Sequence, residues 1–228
     1  MLKKDTMKSS AIRVLATLAL AAVPGFASPI YVSNFSFESP VAGLGGCGTN
    51  CLSGNVAIIP SWTASVAGHS GIFDVTGAGT YWNDVGVQAA DGPQSAYVYT
   101  GSSTSPDTLS QTVAPVAVAG WMYTLQVDIG QRLDKPGYIG TADLLIGSTQ
   151  HFVTCGTALS GGFVDCTTSY MATAADNGQA ITVELSANAL QGNFDNVRLD
   201  AVPEPASFLL IGSALFVISS LKRRRANF

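Results

Sequence analysis

What most constrains the fold of this 228-residue chain is an alternation with period two. Apolar residues alternate with polar or small ones through Tyr31–Phe37, Ala96–Tyr99, Met122–Ile129, Ala180–Leu185 and Phe194–Leu199. Successive side chains of a strand point to opposite faces, so this pattern predicts half-buried β-strands, and the β-branched and aromatic residues in these segments suit them. Turn chemistry interrupts the strands at Asp91-Gly92-Pro93, Gly101-Ser102-Ser103, Lys135-Pro136-Gly137, Gly161-Gly162 and Asp176-Asn177-Gly178. Between the two ends of the chain, no segment offers more than about two turns of amphipathic helix. Many short strands in one stretch of this length predict an all-β fold, an antiparallel sandwich of the jelly-roll kind. No internal repeat supports a propeller or a solenoid.

The ends carry a different pattern. Lys3, Lys4, Lys8 and Arg13 precede an apolar run from Val14 to Val23, and Gly25-Phe26-Ala27 offers small residues where a signal peptidase cuts. Residues 1–27 are therefore expected to be a signal peptide with a helical apolar part. At the other end Pro203-Glu204-Pro205 precedes the apolar stretch Ala206–Leu221 and the cations Lys222, Arg223, Arg224 and Arg225. Sixteen residues give roughly 24 Å of helix against a hydrocarbon core of about 30 Å, so a single transmembrane helix here needs help from its flanks. The four cations act as a stop-transfer signal and should stay cytoplasmic, which puts the preceding chain outside. This three-part tail, residues 202–228, resembles the PEP-CTERM sorting signal of Gram-negative bacteria. The resemblance implies processing near the triplet by an exosortase, after transient anchoring in the inner membrane.

Residues 28–201 remain as a β-sandwich ectodomain, long enough for one good core. Its basic residues are Arg132, Lys135 and Arg198, set against thirteen acidic ones from Glu38 to Asp200. Such acidity excludes nucleic acid and anionic lipid surfaces as partners and suits neutral polymers or divalent cations. All four cysteines, Cys47, Cys51, Cys155 and Cys166, lie in this exported part, where an even count reads as disulfides. Local pairing is expected: the glycines around Cys47 and Cys51 permit a tight reversal, and Cys155 and Cys166 flank Gly161-Gly162. A zinc site is the weaker alternative, because no histidine cluster accompanies the cysteines.

Asn34-Phe35-Ser36-Phe37-Glu38, Ile59-Pro60-Ser61-Trp62, Leu109–Val113, Gly120–Leu125 and Phe194–Leu199 follow one another in an order similar to the landmarks of galactose-binding-like jelly rolls. Such domains occur in PEP-CTERM proteins and in carbohydrate-binding modules. In some of these families the first and last strands hold a structural calcium ion, and Glu38 and Asp195 match the positions that supply its carboxylates. Two carboxylates with main-chain carbonyls are a reasonable start for a cation that takes six to eight oxygens. Among the aromatic residues, Trp62, Trp121 and Tyr123 read as packing residues. Tyr81-Trp82-Asn83-Asp84 follows Gly77-Ala78-Gly79-Thr80, so Tyr81 and Trp82 are the expected ligand-binding pair, able to stack on a sugar face from a rim loop.

Catalytic signatures are absent. His69 and His151 stand alone without a GxSxG or HExxH context, and the two exported glutamates, Glu38 and Glu184, lack a glycosidase setting. The sequence thus predicts a non-enzymatic protein without catalytic residues, structural or adhesive at the cell surface or in the extracellular matrix. By the family resemblance its partners would be signal peptidase, exosortase and an exopolysaccharide or other glycan, in association with biofilm. The alternatives are a calcium-stabilised carbohydrate-binding module and a secreted hydrolase.

Overall fold

A computed structural model describes residues 26–42, 51–52, 59–75, 82, 91–100, 106–135, 137, 140–157, 160–187 and 191–203. Residues Ser28–Ala201 form one compact unit. The expected signal helix, the transmembrane helix, the cations of the tail and Cys47 of the expected Cys47–Cys51 bridge lie outside the described residues.

Two sheets face one another. Among the described residues the larger has eight strands. They are β1 (Ser28–Ile30), β2 (Cys51–Leu52), β4 (Ser70–Asp74), β5 (Gln94–Tyr99), β7 (Trp121–Gln131), β10 (Thr154–Cys155), β11 (Gly162–Met171) and β13 (Gln191–Pro203). The smaller is built from β3 (Thr63–Ala64), β6 (Thr108–Val116), β8 (Gly140–Ile146), β9 (Thr149–Phe152) and β12 (Ala180–Ala187). Their orders are β10-β11-β7-β13-β5-β4-β2, with β1 added against β13, and β3-β6-β12-β8-β9. Neighbours in sequence are often far apart in these orders, as in a Greek-key sandwich rather than a meander.

The alternation seen in the sequence sets the inner faces. Leu125, Val127 and Ile129 of β7 meet Ile181, Val183 and Leu185 of β12 and Leu144 and Ile146 of β8 in one buried core. Each such side chain contributes about 1.5–3 kcal/mol when fully buried. Trp62 belongs to this core, its ring 5.2 Å from that of Phe37 and its Nε1–H donated to the Ser33 carbonyl. Tyr123 is buried too, its hydroxyl accepting from the Val118 N–H. Both are packing residues, as their sequence context suggested. Gly140 and Gly192 let the two sheets touch at one end, for a Cβ on Gly192 would lie 2.6 Å from the Gly140 Cα.

Two local departures matter. The alternation through Tyr31–Phe37 does not make a strand: Asn34 and Phe37 adopt positive φ of 50° and 55°, and Phe37 N–H bonds the Asn34 carbonyl in a turn. Asn34 tolerates this conformation and ties its side-chain amide to both backbone groups of Ser39, a local competition the periodicity could not reveal. In β13 the inward set runs Phe194, Val197, Leu199, Ala201, a phase break located at Asn196, whose φ is 48°. Cys155 and Cys166 are register partners on β10 and β11 and are joined by a disulfide.

Candidate active site

The outer face of the larger sheet should be wet, yet one patch of it is dry. Asn193 pairs with Tyr97 and Phe73 with Ser95, so period two puts Asn193, Asp195, Ser95, Tyr97 and Phe73 on this one face, opposite the core residues Phe194, Ala96 and Ile72. Phe73, Val75, Trp82 and Tyr97 form a second apolar cluster, with Phe163 packed against it. The Trp82 ring lies on Phe163 at 4.9 Å and 13° and meets Phe73 edge-on at 6.3 Å. Gly130 makes room for this, because a Cβ there would come within 2.9 Å of both rings. The Arg132 guanidinium sits 5.6 Å above Phe73 and donates to Gln191 Oε1, closing one side.

Several buried polar groups of this patch lack partners. Trp82 Nε1, Ser95 Oγ, Asn193 Nδ2 and Asp195 Oδ1 are all buried without a hydrogen bond. An orphaned buried donor or acceptor costs about 1–3 kcal/mol, so four on one patch are costly unless water or another group meets them. Asp195 is 0% exposed, and burial pushes its carboxyl up to about 8, against the pull of the Asp91 and Asn196 N–H groups. Asp128 and Asp91 add repulsion that raises it further. At neutral pH this carboxyl holds its proton and can give it away, as a general acid must.

Among the residues expected to bind a ligand, Trp82 is described and Tyr81 lies outside the described residues. Trp82 is folded inward at 1% exposure and makes a wall of the patch instead of standing at an open rim. Glu38 and Asp195, the expected metal pair, do converge on one segment: the Gln94 N–H donates to Glu38 Oε1 and the Asp91 N–H to Asp195 Oδ2, each at 3.0 Å. Gly92 between them has φ 91°, and a Cβ there would strike Glu38 Oε1 at 2.3 Å. Glu38 is half-buried, and its carboxyl is raised first by burial and then by Asp91 and Asp74. These oxygens suit a hard cation, and the unpartnered Asp195 Oδ1 would be one of them. Among the described residues, however, no three His, Cys, Asp or Glu side chains cluster to hold a metal.

The two sheets and the buried aromatic patch on the outer face define a β-sandwich with an enclosed candidate site. Residues 28–200 match the HpiC1-like family, described as HpiC1 cyclase, and the chain belongs to that family. Residues 201–225 match the PEP-CTERM protein-sorting motif, so the protein is an exported one that an exosortase handles at the membrane. The expectation of a non-enzymatic protein without catalytic residues is therefore corrected: membership of a cyclase family points to catalysis. No short catalytic motif in the sequence announced this family.

Solved structures agree on the fold. A cyclase from Fischerella sp. TAU is 23% identical with a TM-score of 0.62, covering 78% of this chain and 98% of its own. The Stig cyclase FisC of the same organism, in complex with (3Z)-3-(1-methyl-2-pyrrolidinylidene)-3H-indole, is 23% identical with a TM-score of 0.61, covering 78% and 99%. A cyclase from Fischerella sp. TAU in complex with 4-(1H-indol-3-yl)butan-2-one is 22% identical with a TM-score of 0.61, covering 77% and 98%. A comparison with curated proteins found no match.

Proposed function

We propose that the exported domain is an enzyme that starts ring closure or rearrangement of an apolar, π-rich small molecule by protonating it from Asp195. The observation that carries this reading is the convergence of four unpartnered buried polar groups on one aromatic-walled patch. Asp195 gives its proton to a π-bond of the substrate. Tyr97 and the ring faces that the Trp82–Phe163 stack leaves open would meet the cation so formed, an attraction worth more in a dry site than in water. Trp82 Nε1–H and Asn193 Nδ2–H orient an acceptor on the substrate, and the surrounding rings exclude the water that would capture the cation. The sugar-stacking role expected of Trp82 thus becomes that of a wall for a flatter ligand. Export sets this work outside the cytoplasm, at the cell surface or beyond. The test is turnover of alkenyl-substituted indoles by the full chain, with products followed by mass. Ring-closed product that disappears in Asp195→Asn supports the reading; binding without any conversion across the series sinks it.

A second reading is favoured by Glu38 and Asp195 meeting at Asp91–Gln94. In it the two carboxylates hold calcium, main-chain oxygens and water complete the shell, and the ion offsets the acidic charge and fixes β13 against that segment. The domain should then melt at lower temperature in EDTA and recover with added calcium. An unchanged melting temperature excludes this ion.

A further inference from the structure

Turns that face water are normally polar, and one end of this sandwich departs from that rule. The stretch that leaves β6 and enters β7, Val116-Ala117-Val118-Ala119-Gly120-Trp121-Met122, carries no charged side chain. Beside it the segment from Met171 to Ala180 carries one, Asp176. That carboxyl is buried within its own turn, where it accepts from the Thr173 N–H, the Thr173 hydroxyl and the Tyr170 hydroxyl. Main-chain bonds from the Gly120 N–H to the Ala172 carbonyl and from the Ala117 N–H to the Gln179 carbonyl lace the two segments into one surface. On it Val116 and Met171 are 51% and 36% exposed, with Val118 and Met122 between those values, and the two methionines are register partners. A domain with thirteen acidic residues has thus kept this end almost free of charge.

The chain leaves the sandwich at the same end. Gln191 of β13 accepts from Arg132 beyond β7, and Asn196 donates to Asp128 within it, so the two strands run antiparallel and Ala201 comes level with the first residues of β7. From Ala201 five residues lead to Ala206, where the apolar stretch up to Leu221 begins, a reach of at most about 18 Å. We propose that this charge-poor end rests on the bilayer surface while the tail is inserted, with Val116, Val118, Met122 and Met171 set among the headgroups of zwitterionic lipid. The inference rests on the expectation that Ala206–Leu221 enters the membrane and is independent of the catalytic reading. Four half-exposed side chains would hold a free protein only weakly. A tether this short makes the contact intramolecular and raises its effective concentration, so a modest apolar area suffices. These side chains bring no charge that must shed water at the interface, while the acidity elsewhere disfavours anionic headgroups. Asp200, one residue before Ala201, is half-buried. Arg132 lies past the other end of β7, so the contact turns the patch that it closes toward the aqueous side.

Methionine oxidation reads the contact directly. The full chain, in vesicles of phosphatidylcholine and phosphatidylethanolamine, is floated through a density gradient and treated with hydrogen peroxide beside N-acetylmethionine amide as internal reference, and sulfoxide is mapped by mass. Met122 and Met171 should oxidise roughly tenfold more slowly than the reference, and Val118→Asp should bring both within about threefold of it with flotation unchanged. Val116→Asp repeats the test from a more exposed position, and an unchanged circular dichroism spectrum certifies the fold of either variant. Protection that survives both variants assigns the cover to the fold itself, and protection that fades as the protein is diluted in the vesicles assigns it to a second copy; each overturns the inference. Methionines oxidised at nearly the reference rate in floated wild type overturn it too, with the anchor intact. A chain that does not float removes the anchor, and the inference with it.

Discussion

Asp195→Asn tests the central claim in a way that does not need the substrate. The folded protein raises this carboxyl from 3.8 to about 8, so the native state binds a proton that the unfolded chain releases. A group with its folded pKa raised gives full stability below pH 3.8 and loses it as pH climbs to about 8, after which nothing further is lost. Between 3.8 and pH 7 the loss is roughly three pH units at about 1.4 kcal/mol each, or about 4 kcal/mol as an upper bound. Asparagine keeps the shape and never ionises, so it escapes the whole penalty. For a domain of this size about 1 kcal/mol moves the midpoint by roughly 2–4 °C, so the variant should melt up to about 8–16 °C above the wild type at pH 7. At pH 4 the two should coincide within about 1 kcal/mol. Differential scanning fluorimetry across pH 4–9 reads both. A variant that is more stable yet inactive would show an acid kept for function at the expense of the fold. A variant less stable at neutral pH, with no pH dependence in the difference, refutes the protonated carboxyl and favours a bound cation.

Three further predictions concern other residues of the sandwich. Asp143 on β8 is raised to about 6, first by burial and then by Glu184, its register partner on β12. Asp143→Asn should gain up to about 3 kcal/mol above pH 6 and nothing near pH 4, read from urea midpoints. Replacing Gly192 by alanine drives a methyl into the Gly140 backbone and should cost about 1–3 kcal/mol, seen as a lowered melting temperature with an unchanged circular dichroism spectrum. The Cys155–Cys166 bridge closes a loop of sequence separation 11, so reduction should cost about 3 kcal/mol on chain-entropy grounds, measured by thermal melts with and without reductant.

How much of this was legible in the sequence depended on whether a residue announces itself by spacing. Strands β5, β7, β12 and β13 were legible from alternating sequence, although β5 proves buried on both faces and β7 and β13 alternate in burial over only part of their length. The edge strand β9 and the small strands β2, β3 and β10 carry too few residues for any period to show. The segment around Asn34 alternated and still became a turn, since two positive-φ residues and the Asn34–Ser39 bonds outweighed the pattern. Asp195 was picked out by position but as a metal ligand, and the rise of its carboxyl came only with burial in the fold. His69 looked solitary because Asp107 lies 38 residues away and meets it only through the fold. The charge of the domain, by contrast, is readable at sight, and it says little about a carboxyl that burial pushes up to about 8.

The pairing of β1 with β13 makes Ser28 the direct opposite of Ala201, so the domain begins and finishes at one spot. A bridge of a few residues could join those ends and new ones be opened in a surface loop, giving a circular permutant with the same sandwich. The sandwich therefore needs nothing before Ser28 or after Ala201 to hold its own ends together.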